Sequence, residues 1–147
     1  DGKVIFCGLS DKTPIGETQM VKVSIFMSIF NVHVNRIPYD GLVTDILYSP
    51  GRFFPANTRE ASEVNESNAI ILTTDDQQKV CFVQVAGIIA RRIVCKISKG
   101  NRVNRGDRFG MICFGSRLDV YLPVETRVTV STGDRVKAGT SILGYLQ

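Results

Sequence analysis

A chain of 147 residues, 44% hydrophobic and 22% charged, is one globular domain's worth of sequence, able to bury roughly 70% of its unfolded surface. Its formal charge of +4, from 18 basic and 14 acidic residues, is a mild excess whose placement matters more than its sum. Four cysteines without a C-x-x-C pair and a single histidine exclude a zinc site, and no run reaches the ~18 apolar residues of a membrane helix. The cysteines, Cys7, Cys81, Cys95 and Cys113, lie mostly in apolar runs and read as free thiols in a reducing compartment rather than as two disulfides.

No signal peptide opens the chain, and Asp1-Gly2 runs straight into Lys3-Val4-Ile5-Phe6-Cys7 without an initiator Met. The expectation is a piece whose natural N-terminal segment is missing. Asp1-Gly2 reads as a turn entering a strand. Asp11 to Glu17, with Pro14 and Gly16, reads as a loop, and Met20 to Phe30 as a strongly β-forming run. Asn31 to Gly41 reads as a connection, because Pro38 lacks a donor and Gly41 permits a turn. Leu42 to Leu47 resumes as a strand. Tyr48 to Asn68 is a long polar loop. Ala69 to Thr73 and Lys79 to Ala86 flank Thr74 to Gln78 as a hairpin. Gly87 to Ile93 has mixed periodicity and predicts one or two helical turns.

The C-terminal part repeats itself. Val103-Asn104-Arg105-Gly106-Asp107-Arg108-Phe109 matches Val130-Ser131-Thr132-Gly133-Asp134-Arg135-Val136 in form: an apolar residue, two others, Gly-Asp-Arg, then an apolar residue entering a strand. Paired turns of this kind resemble those of barrel-sandwich hybrids such as lipoyl and biotinyl carrier domains. The hairpin-tip lysine of such carriers is missing, with Gly115-Ser116-Arg117 in the comparable place. The fold class is therefore mainly β: a sandwich or barrel-sandwich hybrid of about ten short antiparallel strands, with one or two short helices.

Chemistry concentrates where Phe109 to Phe114 meets Leu118 to Leu122 at Gly115-Ser116. Gly-Ser is a common turn, but here both arms are apolar enough to be buried. A serine hydroxyl lies close to the carbonyl carbon of the residue before it, so a strained turn there exposes the chain to attack by its own side chain. Glycine at 115 has no Cβ to obstruct that attack. His33, amid Val32 and Val34, would by itself be an ordinary core histidine.

Phe-Gly-Ser-Arg followed by Asp119-Val120 closely resembles the self-cleavage motif of the short type of phosphatidylserine decarboxylase. Four further segments resemble that family in the same order: Asp1-Gly2; Phe30 to Gly41 around His33; Ala61-Ser62-Glu63-Val64-Asn65-Glu66; and Gln84-Val85-Ala86-Gly87-Ile88-Ile89-Ala90-Arg91-Arg92-Ile93-Val94. The resemblance implies that residues 1–147 form a single decarboxylase domain. It would cut itself between Gly115 and Ser116 into a β chain, 1–115, and an α chain, 116–147, that begins with a pyruvoyl group made from Ser116. Asp1 would belong to an Asp-His-Ser arrangement for cleavage, and His33 would protonate the product carbanion. Long-type members carry a second histidine three residues after the first. Arg36 stands there instead and cannot act as a base near neutral pH. Arg36 and Arg117 are offered as substrate-binding cations.

The implied reaction is decarboxylation of phosphatidylserine to phosphatidylethanolamine in phospholipid biosynthesis, by a zymogen that matures autocatalytically. Its partners would be the phospholipid, an anionic membrane surface and its own α and β chains as a heterodimer or higher oligomer, with no nucleic acid. The expected location is the cytoplasmic face of a bacterial cell membrane. Arg91, Arg92, Lys96, Lys99, Arg102, Arg105 and Arg108 could attract anionic headgroups at about 1 kcal/mol per residue, helped by Phe26, Met27, Ile29 and Phe30 as an apolar contact. The alternatives are a decarboxylase of an archaeal ether-lipid serine headgroup and a non-catalytic lipoyl/biotinyl-like binding domain.

Overall fold

The structure, a computed structural model, describes residues 2–28, 34–51, 65–87, 93–112 and 115–147. All of the regular structure in these residues is β. An eight-stranded antiparallel sheet curls into a half-barrel. In sheet order it comprises β12 (Arg135–Val136), β1 (Gly2–Ser10), β2 (Met20–Met27), β10 (Ser116–Leu122), β6 (Lys79–Val85), β5 (Ser67–Thr73), β4 (Gly41–Ser49) and β8 (Arg102–Val103). A three-stranded sheet, β3 (Val34–Arg36), β9 (Arg108–Ile112) and β7 (Ile93–Cys95), lies against it, and β11 (Arg127–Val128) pairs with β13 (Gly144–Tyr145).

The central strands read as almost continuous apolar runs because both of their faces are buried. Ile70, Leu72, Val80, Phe82, Val120 and Leu122 point inward to the main core. Ala69, Ile71, Cys81, Val83, Val85 and Tyr121 pack with Met20 on the other face. This is the period-2 alternation of a strand with apolar neighbours on either side. The small sheet joins the large one through Phe82 and Phe109, whose rings meet edge to face at 5.0 Å, and through a buried amide relay. Asn68 Nδ2 donates to Gln84 Oε1 at 3.1 Å, and Gln84 Nε2 donates to Asn35 Oδ1 and to the Val94 carbonyl, both at 3.0 Å. Gly110 makes this approach feasible, since a Cβ there would stand 2.1 Å from the Val94 oxygen and 2.9 Å from Gln84 Nε2.

The repeated Gly-Asp-Arg segments form the same turn twice. Asp107 Oδ2 accepts from the Asn104 N–H at 3.2 Å, and Asp134 Oδ2 from the Ser131 N–H at 2.9 Å. Gly106 and Gly133 both adopt positive φ, 85° and 101°. Each turn then docks on a buried residue in the same way. The Gly106 N–H donates to the Ile37 carbonyl and the Ile37 N–H to the Asp107 carbonyl; Gly133, Val4 and Asp134 repeat the exchange. The structure holds a third copy. In Ser98-Lys99-Gly100-Asn101-Arg102-Val103, Asn101 Oδ1 accepts from the Ser98 N–H at 2.9 Å, Gly100 has φ 93°, and the turn exchanges the same two bonds with Val43. Asn101 in place of aspartate hides this copy from a Gly-Asp-Arg pattern.

The hairpin between β5 and β6, the loop at 11–17 and the strands at 3–7 and 42–47 stand where the sequence placed them, with β4 and β5 running further into the polar stretch than its composition predicts. β3 lies within the segment read as a connection. It is three residues long, and Asn35 and Pro38 mask it. The expected helical turns at 87–93 fall mostly outside the described residues; their last residue, Ile93, begins β7. Cys7, Cys81 and Cys95 are free thiols, and Cys113 lies outside the described residues. Burial pushes the Cys81 thiol up to about 12.

Candidate active site

Gly115 and Ser116 do not form a hairpin tip. The arm before them, β9, belongs to the small sheet, and the arm after them, β10, to the centre of the large one, so the pair carries the chain from one sheet to the other. Gly115 has φ 62°, in the left-handed region that an L side chain resists. Ser116 is 0% exposed and opens β10 opposite Met27 of β2. On the other flank, Arg117 pairs with Val85 of β6, and continuing that register by one residue sets Ala86 beside Ser116. The end of β6 is held there: Asn65 Nδ2 donates to the Ala86 carbonyl at 2.6 Å, and the Ala86 N–H donates to the Glu66 carbonyl at 2.9 Å. Ile112, Met27 and Leu118 form one apolar cluster with Ile93. That cluster packs the last residue of β9 against the inner face of β10, so both sides of the Gly-Ser bond are anchored.

The inner face of β10 continues into a cavity of about 490 Å³ between the large sheet, β3 and the C-terminal segment. Met27, Leu118, Val120 and Leu122 make its sheet-side wall, and Val34, Ile37 and Leu143 lie opposite. Among the described residues none that lines it is acidic, whereas Arg36, Arg105 and Lys137 are basic. Arg105 is engaged by Asp40 at 3.0 Å and lies over the Tyr39 ring at 4.4 Å. Arg36 Nη1 donates to the Gly106 carbonyl at 2.7 Å, and a Cβ on Gly139 would come within 2.8 Å of Arg36 Cδ, so that glycine leaves room for the side chain. Thr126 lies past Leu122 along the same wall. Its Oγ1 is buried without a hydrogen-bond partner among the described residues, and nothing in the local sequence singles it out.

The sequence candidates divide accordingly. Ser116 shares the inner face of β10 with Leu118 and Val120 without lining the cavity, Gly115 immediately precedes that strand, and Arg36 lines the cavity. Arg117 is not on the inner face. Strand alternation turns it to the opposite face, where its Nε stands 2.9 Å from Asp119 Oδ1 with both side chains almost fully buried. Asp1 and His33 lie outside the described residues, although their neighbours Gly2 and Val34 both line the cavity. Met27 faces the cavity and is 3% exposed, so it is withdrawn from any outward apolar contact. Within the basic stretch, Arg102 pairs with Asp75 and Arg105 with Asp40, while Lys96, Lys99 and Arg108 are exposed. Arg91 and Arg92 lie outside the described residues. No helix among the described residues is long and apolar enough to cross a membrane.

A buried Gly-Ser crossing is no place for a modified lysine, and the carrier-domain alternative has no exposed tip here on which to stand. Comparison with known sequences agrees. The family model for phosphatidylserine decarboxylase matches residues 9–144. The phosphatidylserine decarboxylase proenzyme of Syntrophus aciditrophicus is 54% identical over 144 residues, 98% of this chain and 68% of that protein. The proenzyme of Desulfotalea psychrophila is 49% identical over 146 residues, 99% of this chain and 68% of its own length. That of Rickettsia felis is 50% identical over 129 residues, 88% of this chain and 56% of the relative. No solved structure matches. A match that runs almost from end to end, through the strands on both sides of the Gly-Ser crossing, settles the relationship: the chain belongs to the phosphatidylserine decarboxylase family.

Proposed function

We propose that this chain is a self-processing, pyruvoyl-dependent decarboxylase that converts phosphatidylserine to phosphatidylethanolamine. The observation that carries the proposal is the Gly115-Ser116 crossing itself, a left-handed glycine followed by a fully buried serine at the head of a central strand. A buried hydroxyl beside the carbonyl of a residue with no Cβ, in a left-handed turn that glycine adopts freely, suits attack on the main chain. Ser116 Oγ bonds to the Gly115 carbonyl carbon and the C–N bond breaks, giving an ester and a free amine on residue 116. Loss of the Cα proton then breaks the Cβ–Oγ bond, releasing residue 115 as a carboxylate and leaving a dehydroalanine. Its enamine tautomerises to an imine, water adds and ammonia leaves.

These residues fit the pyruvoyl group in two respects. It would be made from the serine already in place, at the head of the strand whose inner face, Leu118, Val120 and Leu122, walls a cavity with a basic rim. That group supplies an electron sink for loss of carbon dioxide. The chain's own residues do the rest. The apolar wall of Met27, Leu118 and Val120 excludes water and favours loss of a charged carboxylate. Arg36 stands on the cavity with guanidinium donors to offer a carboxylate or phosphate. His33, one residue before β3, is proposed to protonate the α-carbon, and Asp1 to orient it for cleavage. Lys96, Lys99 and Arg108 are proposed to meet the anionic surface that carries the lipid, on the cytoplasmic side.

The test is the mass of the purified full-length protein beside Ser116→Ala. Two chains are expected, split between 115 and 116, with the smaller one lighter by one ammonia than a chain beginning with serine. Ser116→Ala should stay uncut and release no carbon dioxide from phosphatidylserine. An uncut wild-type protein would end this reading. Turnover of an ether-lipid serine headgroup in preference to phosphatidylserine would favour the archaeal-type alternative.

A further inference from the structure

The buried charges of β10 have no part in the chemistry above, yet they begin one residue after the cut. Arg117 and Asp119 face away from the cavity and form an ion pair, with Nη2 donating to Oδ2 at 3.3 Å and Nε standing 2.9 Å from Oδ1. Lys22 of β2 adds its Nζ at 3.8 Å from Asp119 Oδ2 and lies 5.7 Å over the Tyr121 ring. A buried ion pair is a poor source of net stability, since an apolar replacement of similar shape commonly does as well or better. What it can specify is register.

That matters because cleavage changes the topology. Before the cut, the covalent chain through Gly115 holds Ser116. Afterwards residue 116 is a chain end, and chain ends fray. A slip of one residue along β2 and β6 would also turn every β10 side chain to the other face. It would carry Arg117 and Asp119, still paired with each other, among the partners of Leu118 and Val120 and away from Lys22, at the cost of two charges buried in an apolar core. We propose that Arg117, Asp119 and Lys22 are positioning residues that keep the newly made α-chain terminus on the cavity face after self-cleavage. The inference rests on the proposed role of Ser116.

The test uses the full-length protein carrying Arg117→Met with Asp119→Leu, alone and combined with Ser116→Ala. The double variant should cut itself as completely as wild type. In the cut form, the amides of 117–119 should exchange with solvent at least tenfold faster than in cut wild type, and kcat should fall tenfold or more with KM little changed. In the uncut Ser116→Ala background the same amides should keep their protection. Arg117→Lys should recover part of kcat. Wild-type kcat and protection in the cut double variant would overturn the proposal, as would equal loss of protection in the uncut form. Should the double variant fail to accumulate, Lys22→Gln carries the same test. Faster exchange in the cut form alone supports the proposal, and no difference overturns it. A wild-type protein that never cuts would instead remove the reading of Ser116 beneath it.

Discussion

Arg36 and Arg117 show how far a residue type can be read without its surroundings. Both are arginines close to the proposed chemistry, and both were legible as candidate anion binders. Parity along a strand separates them: Arg117 falls on the odd face with Asp119, and Arg36 reaches the cavity. Gln84 was legible only as a polar position in an apolar run. Its role as the hub between Asn68, Asn35 and Val94 depends on partners far away in sequence, which no local pattern supplies. For Arg36 the expectation is kinetic. Removing one charge-assisted contact to the substrate costs about 1.5–3 kcal/mol, so Arg36→Gln should raise KM roughly ten- to a hundredfold while kcat and self-cleavage change little. Steady-state kinetics on mixed micelles, with gels for processing, would check this.

Among the elements, the repeated turn was the most legible feature, and its third copy was lost only because asparagine does the work of aspartate there. The glycines of the three turns have open space where a Cβ would go, so substitution tests conformation alone. Gly106→Ala should cost about 1 kcal/mol and Gly106→Asn less, measured by denaturant unfolding in the Ser116→Ala background. The same turn is tied to Asp40, whose carboxylate accepts from the Arg105 backbone N–H at 2.7 Å and from its guanidinium. The Arg105 side chain holds the Asp40 carboxyl below the usual aspartate range, helped by that backbone bond. A lowered aspartate contributes stability that is present above its unfolded value of about 3.9 and is lost as pH falls through the folded value. Asp40→Asn should therefore lower Tm near neutral pH, with the difference shrinking as pH drops below about 4 and, because the pair is exposed, also as salt is added. β3 and the division of β9 and β10 between two sheets were not legible. Strand pairing is a long-range choice, and a three-residue strand has too little periodicity to announce itself.

For the whole molecule, the mainly β architecture with barrel-like curvature was legible from composition and turn spacing, whereas the half-barrel's strand order was not. That order determines what a cut would do. β10 lies between β2 and β6, and β12 pairs with β1, so the segment 116–147 is woven through the rest. The two chains should co-elute in gel filtration after cleavage and separate only in denaturant. Dissociation in native buffer would contradict the described pairing.

One more consequence lies in where β10 finds its neighbours. Its left-hand companion comes from the opening stretch of the sequence and its right-hand companion from the middle, so the serine is seated only once distant parts of the polypeptide have met. Such late, non-local contacts form slowly. Under the proposed chemistry the scission would then act as a certificate of completed assembly, because a molecule that has not finished folding has no means of arming itself.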